Sequence, residues 1–246
     1  MLVGPPRGIG PARLAVVDSR LRVRSVRLAR IAAGYRIDRE KGTFEQRHPG
    51  LAVDDATGRA FVAAGGAPIA VVALKTLAVT YRPLGRVVRK AGSGPRREVR
   101  WLGDGKLAIS GADERSSVDA RGRIQTRIEP AGVTVVDTAS WSATTLDPAA
   151  TSTAITEAGL LTWGISWSAG RPRGSGLRLH GPEGERFHLF GDEALWLVRA
   201  AGARAIVGRA GRSGYDLVDL EAAQVIAHVA AEPTMPLVGA FEEFSG

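Results

Sequence analysis

A β-rich doublet, followed by a short polar turn and a second strand, recurs along this chain and constrains the fold more than any other feature. The copies begin at Val16, Val71, Val135, Leu177 and Leu217. Short strands, glycine-bearing turns and almost no helical periodicity favour an all-β sandwich, barrel or propeller. The repeat decides among these, because about 40 residues is the usual length of a four-stranded propeller blade.

The clearest unit spans residues 50–84 and contains four strand patterns in about 35 residues. Between its first two strands, Gly58 can take a positive φ angle without a Cβ clash, which predicts a tight hairpin. We therefore predict one β-propeller domain over residues 1–246. Its blades are an incomplete unit at 1–31 and complete units at 50–84, 97–146, 152–190 and 193–230.

The first unit lacks a pattern for its innermost strand. Residues 236–241 are the candidate closing strand, and pairing beside residues 1–4 would complete a ring of five blades. The alternative is that the chain is a fragment of a larger propeller with further blades upstream.

One unit resembles a known family. His48 to Asp54, followed by Thr57 to Ala63, resembles the YVTN-type repeat of propellers related to the quinoprotein amine dehydrogenase β-chain, and the match covers about residues 48–82. Ala73 stands where this pattern would carry an aspartate. Such propellers are mostly binding or scaffold modules, so the resemblance implies a fold and a binding role, not an activity.

Composition excludes several classes of protein. The chain has no cysteine, which excludes disulfides, thiolate metal sites and cysteine nucleophiles. No apolar run is long enough for a transmembrane helix, and the first six residues are too short and proline-rich for the apolar region of a signal peptide. A cysteine-free chain suits either side of a membrane, so composition assigns no compartment.

Long connections are predicted on one face of the propeller only. We label the strands of a blade A to D, with A innermost. In an antiparallel blade, the connections from B to C and from D to the next A emerge on the same face. All the long connections of this chain belong to this class. They are residues 32–49, 85–97, 112–131 and 166–175. Together these segments contain the whole charge excess of +8. Elaborated loops on a rigid scaffold often carry binding functions.

The densest basic cluster predicts a binding surface for a protein or an anionic partner. Its members are Arg86, Arg89, Lys90, Arg96 and Arg97, and we expect Arg171 and Arg173 to join them across the face. Trp167 lies beside the last two and is a candidate for ligand contact. No specific nucleic-acid motif is present, so the attraction would be one of general charge.

The competing hypothesis is a hydrolase or lyase with its site at the mouth of the central channel. His48 is its candidate residue, because it precedes an innermost strand. A metal site would need similar residues from several blades, whereas Arg97, Ser152 and Asp192 stand at the matching positions. No metal, cofactor or nucleotide motif is found, and we therefore favour a non-catalytic binding or scaffold propeller.

Overall fold

The computed structural model describes residues 1–38, 43–83, 95–118, 124–168 and 171–230, and these contain 21 strands and no helix. Blades 1 and 2, with the strand between them, comprise β1 (Leu2–Val3), β2 (Gly8–Val17), β3 (Val23–Asp38), β4 (Thr43–Arg47), β5 (Gly50–Asp54), β6 (Arg59–Ala63), β7 (Ile69–Ala73) and β8 (Val79–Arg82). Blade 3 comprises β9 (Pro95–Gly103), β10 (Lys106–Val118), β11 (Ile124–Pro130), β12 (Val133–Asp137) and β13 (Ala143–Asp147). Blades 4 and 5 comprise β14 (Ser152–Thr156), β15 (Gly159–Ser168), β16 (Arg171–Gly181), β17 (Gly184–Leu189), β18 (Leu195–Ala201), β19 (Arg204–Arg209), β20 (Tyr215–Asp219) and β21 (Gln224–Val229).

The blades are up-and-down antiparallel sheets, which confirms the predicted all-β propeller architecture. Blades 2 and 5 are separate four-stranded sheets in the orders β5-β6-β7-β8 and β18-β19-β20-β21. Blade 3 pairs β9, β10, β12 and β13, blade 4 pairs β14 to β17, and blade 1 pairs β1, β2 and β3. The candidate closing strand at 236–241 lies outside the described residues.

Apolar side chains fill three of the seams between neighbouring blades. Leu14, Leu28 and Ile31 of blade 1 pack with Val62 and Val72 of blade 2. Between blades 2 and 3, Phe61 stacks on Trp101 with ring centroids 5.5 Å apart. Between blades 4 and 5, Leu161 and Leu179 meet Leu195 and Val198. Each blade thus gains its core from its neighbour, as a repeat that cannot bury both faces alone must do.

The turns between strands C and D explain the recurring aspartate of the repeat. The carboxylate of Asp137 accepts hydrogen bonds from the backbone N–H groups of Ala139 (3.0 Å) and Ser140 (2.7 Å). Asp18 and Asp219 accept equivalent bonds in their own turns. These bonds lower the pKa of Asp18 and Asp137, led by the N–H of Arg22 and of Ser140 respectively. The aspartates therefore stabilise turns.

The innermost strands of blades 2 and 3 begin side by side and parallel. Blades 2 and 3 are linked by an isolated parallel bridge between His48 and Arg96, and the Arg97 N–H donates to the His48 carbonyl oxygen at 2.8 Å. The backbones approach so closely that a Cβ added to Gly50 would lie 2.6 Å from the Val99 nitrogen. Glycine is required at that position because the obstacle is backbone.

Candidate functional site

Three of the predicted long loops contain β-hairpins instead of irregular loops. Residues 32–49 hold the end of β3 and all of β4, 112–131 hold the end of β10 with β11, and 166–175 hold the ends of β15 and β16. The hairpins pair edge to edge, Phe44 with Ser116 and Ile128 with Trp167. Beyond the blades, these parts of β3, β4, β10, β11, β15 and β16 form one sheet, which we call the platform. Its residues are 34–38, 43–47, 112–118, 124–130, 165–168 and 171–174.

The platform has two chemically different faces, because cross-strand partners project to the same side of a sheet. In the backbone register, Ile37 pairs with position 44, and position 44 pairs with position 116 of β10. Two residues away on the same strand, position 114 pairs with Ile128 of β11, which in turn pairs with Trp167 of β15. These residues therefore share one face, together with Tyr35. Arg36, Arg127 and Arg173 stand one position away in their strands and belong to the other face.

The first face carries exposed apolar and aromatic side chains, together with the exposed Glu114 and the half-buried Gln46. Tyr35 is 54% exposed and Ile37 is 58% exposed. Ile128 and Trp167 are half-buried, and Pro172, which pairs with Trp167, is exposed. Aromatic and apolar side chains at this exposure are frequent in the contact surfaces of protein complexes.

The second face is rich in arginine, and most of the arginines whose side chains the structure describes are paired with carboxylates. Glu45 accepts from Arg36 (2.8 Å) and Arg47 (2.5 Å), while Arg127 reaches Glu129 at 2.7 Å. The Arg47 guanidinium, supported by Arg36, holds the pKa of Glu45 below its usual value, although partial burial opposes this. This part of the face is nearly neutral and internally bonded.

Arg171 and Arg173 differ from these arginines. Both side chains are exposed at the start of β16, where the two residues pair with Ser168 and Ser166 of β15. Neither guanidinium makes an ion pair or a hydrogen bond with another described residue. Two adjacent, solvated positive charges at the end of a sheet are open to an anionic group from outside.

Of the predicted basic cluster at residues 86–97, Arg96 and Arg97 lie in the described part of the chain, and of these two Arg96 is exposed. Arg96 is 54% exposed in its side chain and reaches Glu98 at 3.1 Å. Arg97 is buried: its Nη2 donates to Asp113 at 2.8 Å, and its Nη1 donates to the carbonyl oxygens of Arg96 and Ala112. With its charge matched in the interior, Arg97 is a packing residue, and we correct its assignment to the exposed cluster. Arg86, Arg89 and Lys90 lie outside the described residues.

His48 is exposed where the first strand of blade 2 begins, beside β9. The described residues contain no group of three or more His, Cys, Asp or Glu side chains that could hold a metal ion. They also contain no helix that could cross a membrane. The hydrolase or lyase hypothesis stays an untested prediction.

Sequence reasoning missed the apolar face of the platform. Tyr35, Arg36 and Ile37 alternate with the period of two that indicates a strand, but they lie in a glycine-bearing and charged stretch that resembles a loop. The alternation was the available signal. It became decisive only with the partner strand, which pairs Tyr35 with Gln46 and Arg36 with Glu45.

Comparisons with known proteins yield fold-level likeness only. No protein family and no curated protein matches the chain. Among the solved structures that align with the chain are three at 11% identity: a dihydro-heme d1 dehydrogenase, NirN, in complex with DHE (TM-score 0.40, 95% of this chain), a nidogen/laminin complex (0.30, 91%) and BamB from Moraxella catarrhalis (0.29, 94%). The alignments cover 57%, 91% and 88% of those chains, so this chain spans little more than half of the first. At these scores we transfer no function.

Proposed function

We propose that this chain is a non-catalytic propeller module that binds an acidic segment of a protein partner through the platform. The observation that carries the proposal is the exposed pair Arg171 and Arg173, which has no carboxylate partner among the described residues. The other described arginines of the platform's second face are paired with Glu45 or Glu129. A surface that neutralises most of its arginines and leaves two adjacent ones open offers a defined place for an external carboxylate.

The surroundings of this pair favour a protein over a simple polyanion. Tyr, Trp and Arg are the residue types enriched at the energetic centres of protein interfaces. The same hairpin carries Trp167 and Pro172 on its other face, where Tyr35 and Ile37 are also exposed. Arginine also binds a carboxylate with two parallel hydrogen bonds, which gives direction as well as charge.

The predicted contribution of Arg86, Arg89 and Lys90 belongs to the same proposal. In the sequence they fall in the D-to-A connection between blades 2 and 3, one of the long connections predicted to carry the binding function. Their positive charge would raise the rate of association with an acidic partner and would make binding sensitive to salt.

The closer relation of residues 48–82 to YVTN-type repeats is also part of the proposal. Blade 2 supports it as a regular four-stranded unit, with β5 and β6 joined through the expected turn and Gly58 at φ 62°. The Leu74 N–H bonds to the Gly58 carbonyl oxygen at 2.8 Å, which ties this turn to the next one.

Binding of labelled poly-glutamate, measured by fluorescence anisotropy at low and at physiological salt, tests the proposal. We expect Arg171→Gln/Arg173→Gln to weaken binding by about threefold or more at low salt. The matched control is Arg199→Gln/Arg204→Gln, which removes the same charge from two exposed residues at the A-to-B turn of blade 5. Equal affinities of both double variants would contradict the proposal, and so would binding to heparin without binding to poly-glutamate.

A further inference from the structure

The seam between blades 3 and 4 is polar where the other three seams are apolar. None of the three hydrophobic clusters formed by the described residues joins these two blades. Asp147, at the end of β13 in blade 3, instead meets Thr162 and His180 of blade 4. They are 3%, 0% and 6% exposed respectively, so this is an interior contact.

These three residues form one directed hydrogen-bond chain. The Thr162 hydroxyl lies 2.7 Å from Asp147 Oδ2 and 3.0 Å from His180 Nε2. A hydroxyl has one proton, and the carboxylate is the stronger acceptor, so Thr162 donates to Asp147. His180 must then donate through Nε2–H, and a second proton would have to enter at Nδ1.

Three charged groups face His180 besides the hydroxyl. Asp147 lies across the seam, Arg178 is on the same strand, and Glu185 is its partner on β17. Burial lowers the pKa of His180 and outweighs the attraction of Asp147 and Glu185, while Arg178 lowers it further. Arg178 is itself held by Glu185 at 2.7 Å and lies 3.8 Å from Asp147.

Further polar groups lie in the same seam. Thr153 pairs with Thr162 across β14 and β15 and shares its face, and Ser110 stands next to Ile109, which packs towards blade 2. The hydroxyls of Ser110 and Thr153 are buried and lack a hydrogen-bond partner in the described structure. Unsatisfied buried hydroxyls do little to stabilise a contact, so among the polar groups of this seam the Asp147–Thr162–His180 chain supplies the hydrogen bonds between the blades.

We propose that the seam between blades 3 and 4 is an acid-sensitive joint, at which protonation of His180 loosens blade 4 from blade 3 while the apolar seams hold. The direction of this pH effect follows from the linkage between protonation and folding. A histidine that is harder to protonate in the folded chain contributes its full stability above its ordinary pKa of 6.5. That contribution is lost as the pH falls below this value. The platform crosses the same seam through Ile128 and Trp167, so its two halves would shift together with the blades. The joint itself does not depend on the proposed binding function.

Amide hydrogen exchange at pH 7.5 and pH 5.5, corrected for intrinsic rates, tests the joint. We expect β14 and β15 to lose protection by about threefold or more at the lower pH, while β6 and β7 keep theirs. His180→Gln retains an N–H donor for Thr162 and should abolish the difference. His188→Gln is the matched control in the same blade, because His188 bonds only to backbone carbonyl oxygens of Ser175 and Gly191, and it should retain the difference.

Uniform loss of protection in all blades would overturn the proposal, as would a seam-specific loss that persists in His180→Gln. If that variant does not fold, NMR titration of His180 in the wild-type chain gives a second test. The loss of protection must then begin below about pH 6.5 and level off where His180 titrates in the folded chain, and a change outside that range overturns the proposal.

Discussion

The buried ion pair of Arg97 and Asp113 allows the sharpest stability prediction. The two side chains are 1% and 9% exposed, and their nearest atoms are 2.8 Å apart. Asp113→Ala leaves the Arg97 charge in the interior with only the carbonyl oxygens of Arg96 and Ala112 as partners. Removing one partner of a buried pair typically costs about 3–5 kcal/mol. We expect that loss in the free energy of unfolding.

A double variant separates the effect of the unpaired charge from the burial of the two side chains. Arg97→Met/Asp113→Leu removes both charges, and we expect it to recover most of the stability, because apolar replacements of buried pairs are often neutral or stabilising. Arg96→Gln is the control: Arg96 adjoins Arg97 but its pair with Glu98 is exposed, so about 0–1 kcal/mol is expected. Urea unfolding followed by tryptophan fluorescence and circular dichroism gives the values. A loss below about 1 kcal/mol for Asp113→Ala would refute the assignment of Arg97 as a packing residue.

Two further predictions concern the seams and the turns. Phe61→Ala removes a ring that is 1% exposed and stacked on Trp101, so we expect the free energy of unfolding in urea to fall by about 3–5 kcal/mol. The fall should be smaller for Phe61→Leu. A fall no larger than that of an exposed substitution would contradict the described packing. Asp137→Ala should lower the melting temperature at neutral pH, since its carboxylate caps the turn. The pKa of Asp137 in the folded chain lies below the ordinary 3.8, so the difference in melting temperature from wild type should shrink as the pH falls from 3.8 through the folded pKa. A difference that does not depend on pH would contradict the capping role.

Much of the fold could be predicted from sequence because a blade is a local object. Within blade 2, each strand pairs with its neighbour in the chain, and turn residues such as Gly58 mark the boundaries directly. The aspartates of the repeat could likewise be assigned to turns, since their hydrogen bonds reach only two to four residues along the chain. Short-range chemistry of this kind is visible in a single sequence.

The surface chemistry could not be predicted in the same way. Arg96 and Arg97 are adjacent and identical in type, yet one is exposed and the other is buried because Asp113 lies opposite on β10. Nothing within residues 85–97 signals that partner, which is 16 residues away. A count of basic residues therefore overstates the exposed charge wherever a carboxylate arrives from another strand.

The platform shows why polar, glycine-bearing segments can still form a sheet. An isolated two-stranded hairpin is marginal in water and exposes two hydrogen-bonding edges. Here the β3–β4, β10–β11 and β15–β16 hairpins meet edge to edge, position 44 with position 116 and Ile128 with Trp167, although these residues come from distant parts of the chain. Because the propeller places these hairpins side by side, their pairing depends on the blades being in position. A change that displaces blade 4 from blade 3 must therefore also act on the platform between β11 and β15, which ties the acid-sensitive joint physically to the proposed binding surface.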